Sequence, residues 1–265
     1  MRFNVWWIRL EEVMEAPNSI KFQTADQTQT KITLNQRDIH SFSAIFKSTS
    51  SKYKPSIDYT PQSPKKDTTW LEYSNGYAES TDDALNQLTQ QKGSILLKFT
   101  NVTKQNTGIH TLFKGLEQQP NVKHLIVRYS SLSQQMIKNI ERVLQLNDGI
   151  AWLVLDHNEI DDAGATDIAN GLKDNDQVEH VVLSHNHIGN DGAKAIANMM
   201  QSNHSFKTLF LHNNQISDAG IQALAEGIQQ RPPLDVVDIR NNVINENIKD
   251  QFQNVCNRLA IRCHC

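Results

Sequence analysis

Six of the ten histidines, His124, His157, His180, His185, His187 and His212, crowd the middle of the chain, and His157, His185 and His212 recur at intervals of 28 and 27 residues. Imidazoles that a repeat brings together can share a metal ion or carry a charge that varies with pH. No carboxylate or cysteine completes a compact ligand signature around them, and histidines at strand ends also make ordinary polar contacts, so no metal is assigned. Cys263-His264-Cys265 is a second metal-capable run, placed at the chain end. With Cys256 these are the three cysteines, all within the last ten residues. An odd count bunched in this way is not a disulfide framework and points to a reducing compartment. Nucleophilic and phosphate chemistry find no support: there is no nucleophile elbow, no phosphate-cradling glycine loop and no H-E-x-x-H. No catalytic residue and no cofactor is assigned.

What positions these side chains is a repeat of 28 residues, in six rows starting at Ser94, Val122, Ile150, Val178, Phe206 and Leu234 without insertion or deletion. One apolar column reads Leu97, Leu125, Leu153, Val181, Leu209, Val237, and a second, two places on, reads Phe99, Val127, Leu155, Leu183, Leu211, Ile239. Alternation with period two predicts a short strand buried on one face. A third column, Leu112, Ile140, Ile168, Ile196, Leu224, Phe252, belongs to a helical pattern such as Ala165, Ile168, Ala169, Leu172. One strand and one helix per row predict an α/β solenoid, with parallel strands on the concave face and helices on the convex face. Asn158, Asn186, Asn214 and Asn242 follow the strands, where a buried amide can bond the adjoining turn. Gly164, Gly192 and Gly220 fall at helix starts, where a missing side chain lets helix and sheet approach. Cys256 takes the column of Leu116, Leu144, Leu172, Met200 and Ile228, which predicts a buried, inert thiol. Asp156 and Asp238 lie three rows apart, too far for a carboxylate pair, and Asp161 and Asp162 are first-turn helix residues.

The rows WLVLDHNEIDDAGATDIANGLKDN and TLFLHNNQISDAGIQALAEGIQQR resemble the leucine-rich repeats of the ribonuclease-inhibitor class, and the resemblance covers residues 94 to 258. The same class occurs in the ligand-sensing ends of NOD-like receptors, in the Ran GTPase-activating protein and in the actin-capping tail of tropomodulin. It implies a horseshoe that binds a protein and, in its sharper form, covers and inhibits a partner enzyme. The size and the abundance of Asn, Gln and Lys are also similar to leucine-rich-repeat effectors of intracellular bacterial pathogens, some of which restrain another effector. A GTPase regulator and a filament cap are the alternatives; for the first, no catalytic arginine maps onto this chain.

Alternation assigns three concave columns: Leu96, His124, Trp152, His180, Thr208, Val236; then Lys98, Ile126, Val154, Val182, Phe210, Asp238; then Thr100, Arg128, Asp156, Ser184, His212, Arg240, with Tyr129, His157, His185 and Asn213 beside it. Ile126, Val154, Val182 and Phe210 are expected to form a solvent-facing apolar stripe that marks a partner site. Trp152, Val154, Val182 and Phe210 are the expected anchors, with Ile126 in the stripe and Tyr129, Arg128, Asp156, His180, His212 and Arg240 as rim. Against this, β-branched residues suit strands anyway, or the N-terminal segment folds back over them. The reading is a non-enzymatic binding module, monomeric when free.

The rest of the chain reads as a small mixed α+β N-terminal cap over 1–47, a Ser/Thr/Lys/Pro-rich linker or loop over 48–68, and a degenerate first repeat over 69–93. Six repeats and a C-terminal cap then fill 94–265. Within the cap, Ser19–Thr24 and Lys31–Leu34 are expected to pair as a hairpin, and Ile39, Phe42, Ile45 and Phe46 have helical spacing. Asn4–Leu10 reads as strand or helix. Leu259–Cys263 is the expected closing strand. A net charge of -3 argues against nucleic acid, the sequence has no long apolar run for a membrane, and its start, with Glu11 and Glu12 close behind a short apolar stretch, is not expected to act as a secretory leader. The expected location is the cytoplasm, or a host cytosol if the chain is an exported effector.

Overall fold

The computed structural model describes residues 19–23, 29–33, 68–74, 86, 88–103, 108–231 and 234–265. The chain divides into two units, 1–63 and 64–265. In the first, β1 (Ser19–Gln23) and β2 (Gln29–Thr33) pair antiparallel, Ser19 opposite Thr33 and Gln23 opposite Gln29. The second arm of this hairpin starts two residues earlier than Lys31. The expected segments at Asn4–Leu10 and 39–46, and nearly all of 48–68, lie outside the described residues.

The second unit is a parallel sheet with strand order β10-β9-β8-β7-β6-β5-β4-β3. Its strands are β3 (Thr69–Ser74), β4 (Ile95–Thr100), β5 (Val122–Arg128), β6 (Trp152–Val154), β7 (His180–Val182), β8 (Thr208–Phe210), β9 (Val236–Asp238) and β10 (Arg262–His264). Between them run α1 (Gly108–Leu116), α2 (Gln134–Leu146), α3 (Asp162–Leu172), α4 (Asn190–Ser202), α5 (Asp218–Gln229) and α6 (Glu246–Arg258). From β5 onward the register keeps the 28-residue columns opposite one another, for example Leu125, Leu153, Val181, Leu209 and Val237. Both strand columns and the helix column are buried in one continuous apolar core between helices and sheet. That follows from the sequence pattern: period two sends the L-x-L side chains to one face, and helical period brings Ile168 and its equivalents down onto them. None of the helices among the described residues is long and apolar enough to cross a membrane.

Two side-chain ladders knit the rows together. In the first, Asn186 Nδ2 donates to the carbonyls of Leu155, Leu183 and Ser184, while its Oδ1 accepts from Asn158 N and Ile160 N. Asn158, Asn214 and Asn242 bridge neighbouring rows in the same way. Ser130 stands in for asparagine one row earlier, its hydroxyl accepting from Val102 N and donating to Arg128 O.

The second ladder caps helices across repeats. Asp161 caps its own helix, accepting from Gly164 N at 2.9 Å, but α4 and α5 have no side-chain cap bond from their own N-cap residues. The previous repeat supplies one instead: Asp162 Oδ1 accepts from Gly189 N and Gly192 N, and Asn190 Oδ1 accepts from Ser217 N and Gly220 N. Asp218 continues the column by accepting from Asn245 N. This corrects the role of the glycines. A Cβ on Gly192 would lie 2.7 Å from Asp162 Oδ1, and one on Gly220 2.7 Å from Asn190 Oδ1, so glycine admits the incoming cap as well as the helix.

A further column at the helix ends contains Asn147, Asn175 and Asn203, each amide accepting from backbone N–H groups two and three residues on, at 149/150, 177/178 and 205/206. Row five has Arg231 there. Pro233 offers no N–H for the first of those bonds. Arg231 instead donates to Phe206 O at 2.7 Å and lies 4.3 Å from the Phe206 ring centroid. Burial pushes its guanidinium down to about 10.

At the C-terminal end the closing strand is shifted relative to expectation. Leu259 caps α6 and Ala260 takes a left-handed backbone (φ 58°), so β10 begins only at Arg262 and pairs parallel with β9. Cys263 and Cys265 are bonded to each other, with Cα atoms 6.1 Å apart. The cysteines, expected to form no disulfide framework, thus include one bonded pair: residues two apart on a strand point to the same face. Cys256 is free and buried, and burial pushes its thiol up to about 11, as suits a core residue.

Candidate protein-binding surface

The sheet face turned away from the helices carries the three expected columns in register. His124, Trp152, His180, Thr208 and Val236 are successive partners, as are Ile126, Val154, Val182, Phe210 and Asp238. Their exposure differs from expectation. Ile126, Val154, Val182 and Phe210 are only 7%, 4%, 1% and 4% exposed, so the apolar stripe is a buried layer rather than a solvent-facing one. It is separate from the helix-side core, whose cluster does not contain these four residues. Part of the reason is local: Ile126 is shorter than the flanking His124 and Arg128, and Val154 is shorter than the flanking Trp152 and the Arg128–Asp156 pair. Alternation predicts a face but not the height of its neighbours.

One flank is a ring stack. Trp152 lies over His180 with centroids 3.8 Å apart and faces His124 at 6.2 Å. Thr208 Oγ1 meets His180 Nδ1 at 3.0 Å. Burial pushes both His124 and His180 below the ordinary imidazole value.

The other flank is polar. Arg128 Nη2 and Asp156 Oδ2 are 2.6 Å apart, and His157 Nδ1 reaches the same oxygen at 3.0 Å. Burial raises the Asp156 carboxyl, but the hydrogen bonds of His157 and Arg128 and the Arg128 charge outweigh it and hold the group below the usual carboxylate range. Three rows on, Arg240 grips Asp238 through Nε and Nη2, and His212 Nδ1, one row before, lies 2.8 Å from Ser184 Oγ and 3.4 Å from Asp238 Oδ2. Burial lowers His212 also. Serine, histidine and aspartate thus meet, but hydroxyl and carboxylate compete for one ring nitrogen. A relay needs them on opposite nitrogens, and Ser184 is 1% exposed. The arrangement is a salt-bridged wall, not a nucleophile with its base.

Immediately after the strands runs a column whose importance the sequence understates. Asn101, Tyr129, His157, His185, Asn213 and Asn241 all have left-handed backbones, with φ between 51° and 60°. Asparagine and histidine are both enriched in that region, whereas tyrosine pays for it and is uncommon there. The central rows nonetheless hold rings, and the rings stack: Tyr129 on His157 at 4.5 Å, His157 on His185 at 3.9 Å, with His212 edge-on to His185 at 5.1 Å. Arg128 lies 5.6 Å from the Tyr129 centroid. Tyr129 is 46% exposed, and His185 is exposed too. The signal was present in the column itself, which holds asparagine in rows one, five and six and rings in rows two to four, at a position of positive φ. The stack also bears on metal binding: stacked imidazoles present faces to each other, whereas a shared ion needs converging nitrogens. Among the described residues no group of three His, Cys, Asp or Glu side chains is arranged to hold a metal.

Repeat geometry and sequence comparison agree. A family model described as Leucine Rich repeat matches residues 177–197 and 202–225. The fold is a leucine-rich-repeat solenoid. Among solved structures, the leucine-rich-repeat chain is similar to Leiomodin-1 Actin-Binding Site 2, with 19% identity and a TM-score of 0.49 over 56% of this chain and 87% of that one. It is also similar to a protein from Bacteroides fragilis, with 11% identity and a TM-score of 0.33 over 91% of this chain and 87% of that one. Curated proteins yield no match.

Proposed function

We propose that this leucine-rich-repeat protein is a non-enzymatic binding module that docks a protein partner along the strand-end rim of its sheet. The observation that carries the reading is the exposed Tyr129–His157–His185 stack on left-handed backbone. Tyr129 occupies a position where asparagine or histidine costs less, and backbone strain of this kind clusters at working surfaces. Aromatic anchors beside a polar border supply the contact energy of most protein interfaces. Arg128, Asp156, His212 and Arg240 form that border, with Trp152 and His180 on the opposite flank. Val154, Val182, Phe210 and Ile126 support the surface from beneath. An interface of ordinary size, about 800 Å² per partner, fits a few rows of such a sheet. In the sharper form of the reading, the docked partner is an enzyme whose active site is covered.

The test compares partners retained by the full-length chain and by its Tyr129→Ala/His157→Ala variant in affinity capture from the producing cells. Loss of one or more specific partners by the folded variant, with a fall in affinity of ten-fold or more, is expected. Identical retention by both chains refutes the rim as the docking surface.

A further inference from the structure

The end of the rim ladder is a hydrogen-bond chain with a defined direction. Asn241 Nδ2 donates to Asn213 Oδ1 at 3.1 Å, and Asn213 Nδ2 meets His185 Nε2 at 3.1 Å. An amide nitrogen can only donate. His185 Nε2 is therefore the lone-pair end, and the neutral ring holds its proton on Nδ1. The three residues share φ 55°, so their side chains leave equivalent backbone positions in successive rows.

A proton arriving at Nε2 would place two donors face to face. Relief comes if the Asn213 amide turns over and offers Oδ1 to the new N–H. That turn sets Asn213 Nδ2 against Asn241 Nδ2, so Asn241 must turn as well. One protonation event thus reverses the whole chain.

The groups around His185 oppose that charge in neutral solution. His157 stacks on one side and His212 stands edge-on. His157 is bonded to Asp156, which also binds Arg128, while His212 adjoins Asp238, which is held by Arg240. Partial desolvation by its packed neighbours, followed by the charges of His157 and His212, pushes the accessible His185 down to about 4, against a smaller opposite pull from Asp156. Since the folded value lies below the ordinary one, the unfolded chain takes up the proton first. The stability held in the neutral ladder is therefore complete near neutrality and fades as pH falls from the ordinary imidazole value toward about 4.

We propose that this chain is a proton-read contact surface: with His185 neutral, Asn241 offers a partner its carbonyl oxygen, and protonation of His185 reverses the chain so that Asn241 offers an amide donor. The contact role rests on the rim-docking reading, and the partner chemistry it selects at neutral pH is a hydrogen-bond donor. The reversal itself is a property of the free protein.

NMR of the full-length chain, labelled with ¹⁵N, tests the reversal directly. His185 ring nitrogens and the Asn213 and Asn241 side-chain amides are followed during acidification. The expected result is one shared midpoint for all three, and in Asn213→Ala a His185 that still titrates while Asn241 stays silent. His185→Asn, which restores the residue type of rows five and six, should abolish the response at both amides. An Asn241 amide that does not move with His185, or that moves equally in Asn213→Ala, overturns the proposal. Should the fold be lost before the midpoint, the neutral spectrum decides: His185 with its proton on Nε2 contradicts the chain's direction. No partner is needed, so failure here leaves the docking reading standing, and partner retention by Tyr129→Ala/His157→Ala tests that separately.

Discussion

Asn186→Ala is expected to lower stability by about 3 kcal/mol or more, with a fall in Tm of roughly 6–12 °C. The amide is 4% exposed and makes five hydrogen bonds, three given and two received. Removing it leaves the Leu155 carbonyl and the N–H groups of Asn158 and Ile160 short of partners in a place water does not reach, each such loss costing about 1–3 kcal/mol, whereas the Ser184 carbonyl keeps its bond from His157 N. The effect should also be uneven along the chain. A solenoid holds together mainly through neighbouring-repeat contacts, and Asn186 joins rows three and four. Hydrogen exchange should therefore accelerate on both sides of residue 186 before it does near β10. Thermal unfolding with residue-resolved exchange checks both points, and a Tm within about 2 °C of wild type would show that the asparagine ladder contributes little.

Val182→Glu is expected to be similarly damaging, for a different reason. Val182 is 1% exposed, so a carboxylate there is either ionised without a partner or forced to take up a proton, at several kcal/mol in either case. Tyr129→Ala on the exposed rim should change stability by only about 0.5 kcal/mol. The contrast distinguishes two pictures of one face. Were the stripe open to solvent, as the sequence reading expects, Val182→Glu would fold like wild type and only partner binding would suffer. Circular dichroism melts of the two variants decide between them.

Much of the fold could be read from the repeat. Leu153, Leu155 and Ile168, propagated by 28 residues, predict both strand columns and the helix column, and the structure has all three in the core. The Asn158–Asn242 column was legible because a buried amide after a strand has few other roles. Other features were not, because they depend on what a side chain meets in the next row. Asp162 looks like an ordinary first-turn acid until its oxygen is seen capping the following helix, and Gly192 looks like a close-packing glycine until that oxygen is found beside it. The shift of β10 turns on one left-handed residue, Ala260, which propensity does not announce. For the candidate surface, alternation placed every residue on the correct face but left exposure undetermined. It thereby favoured Val154, Val182 and Phe210 as anchors over the accessible Tyr129 and His185. The rim was half legible: Tyr129, His157, His185 and Asn213 were adjacent in the columns, but their stacking follows from a backbone angle, not from spacing.

The claim that the rim is where a partner docks is tested most directly by photo-crosslinking from defined positions. A photoreactive phenylalanine analogue replaces Tyr129 in one chain and His185 in a second, and the exposed Asn170 of α3, on the helical side, in a third. The account predicts a discrete crosslinked species from positions 129 and 185 and none from 170. Crosslinking from 170 with silence at 129 and 185 would contradict it and move the binding surface to the helices.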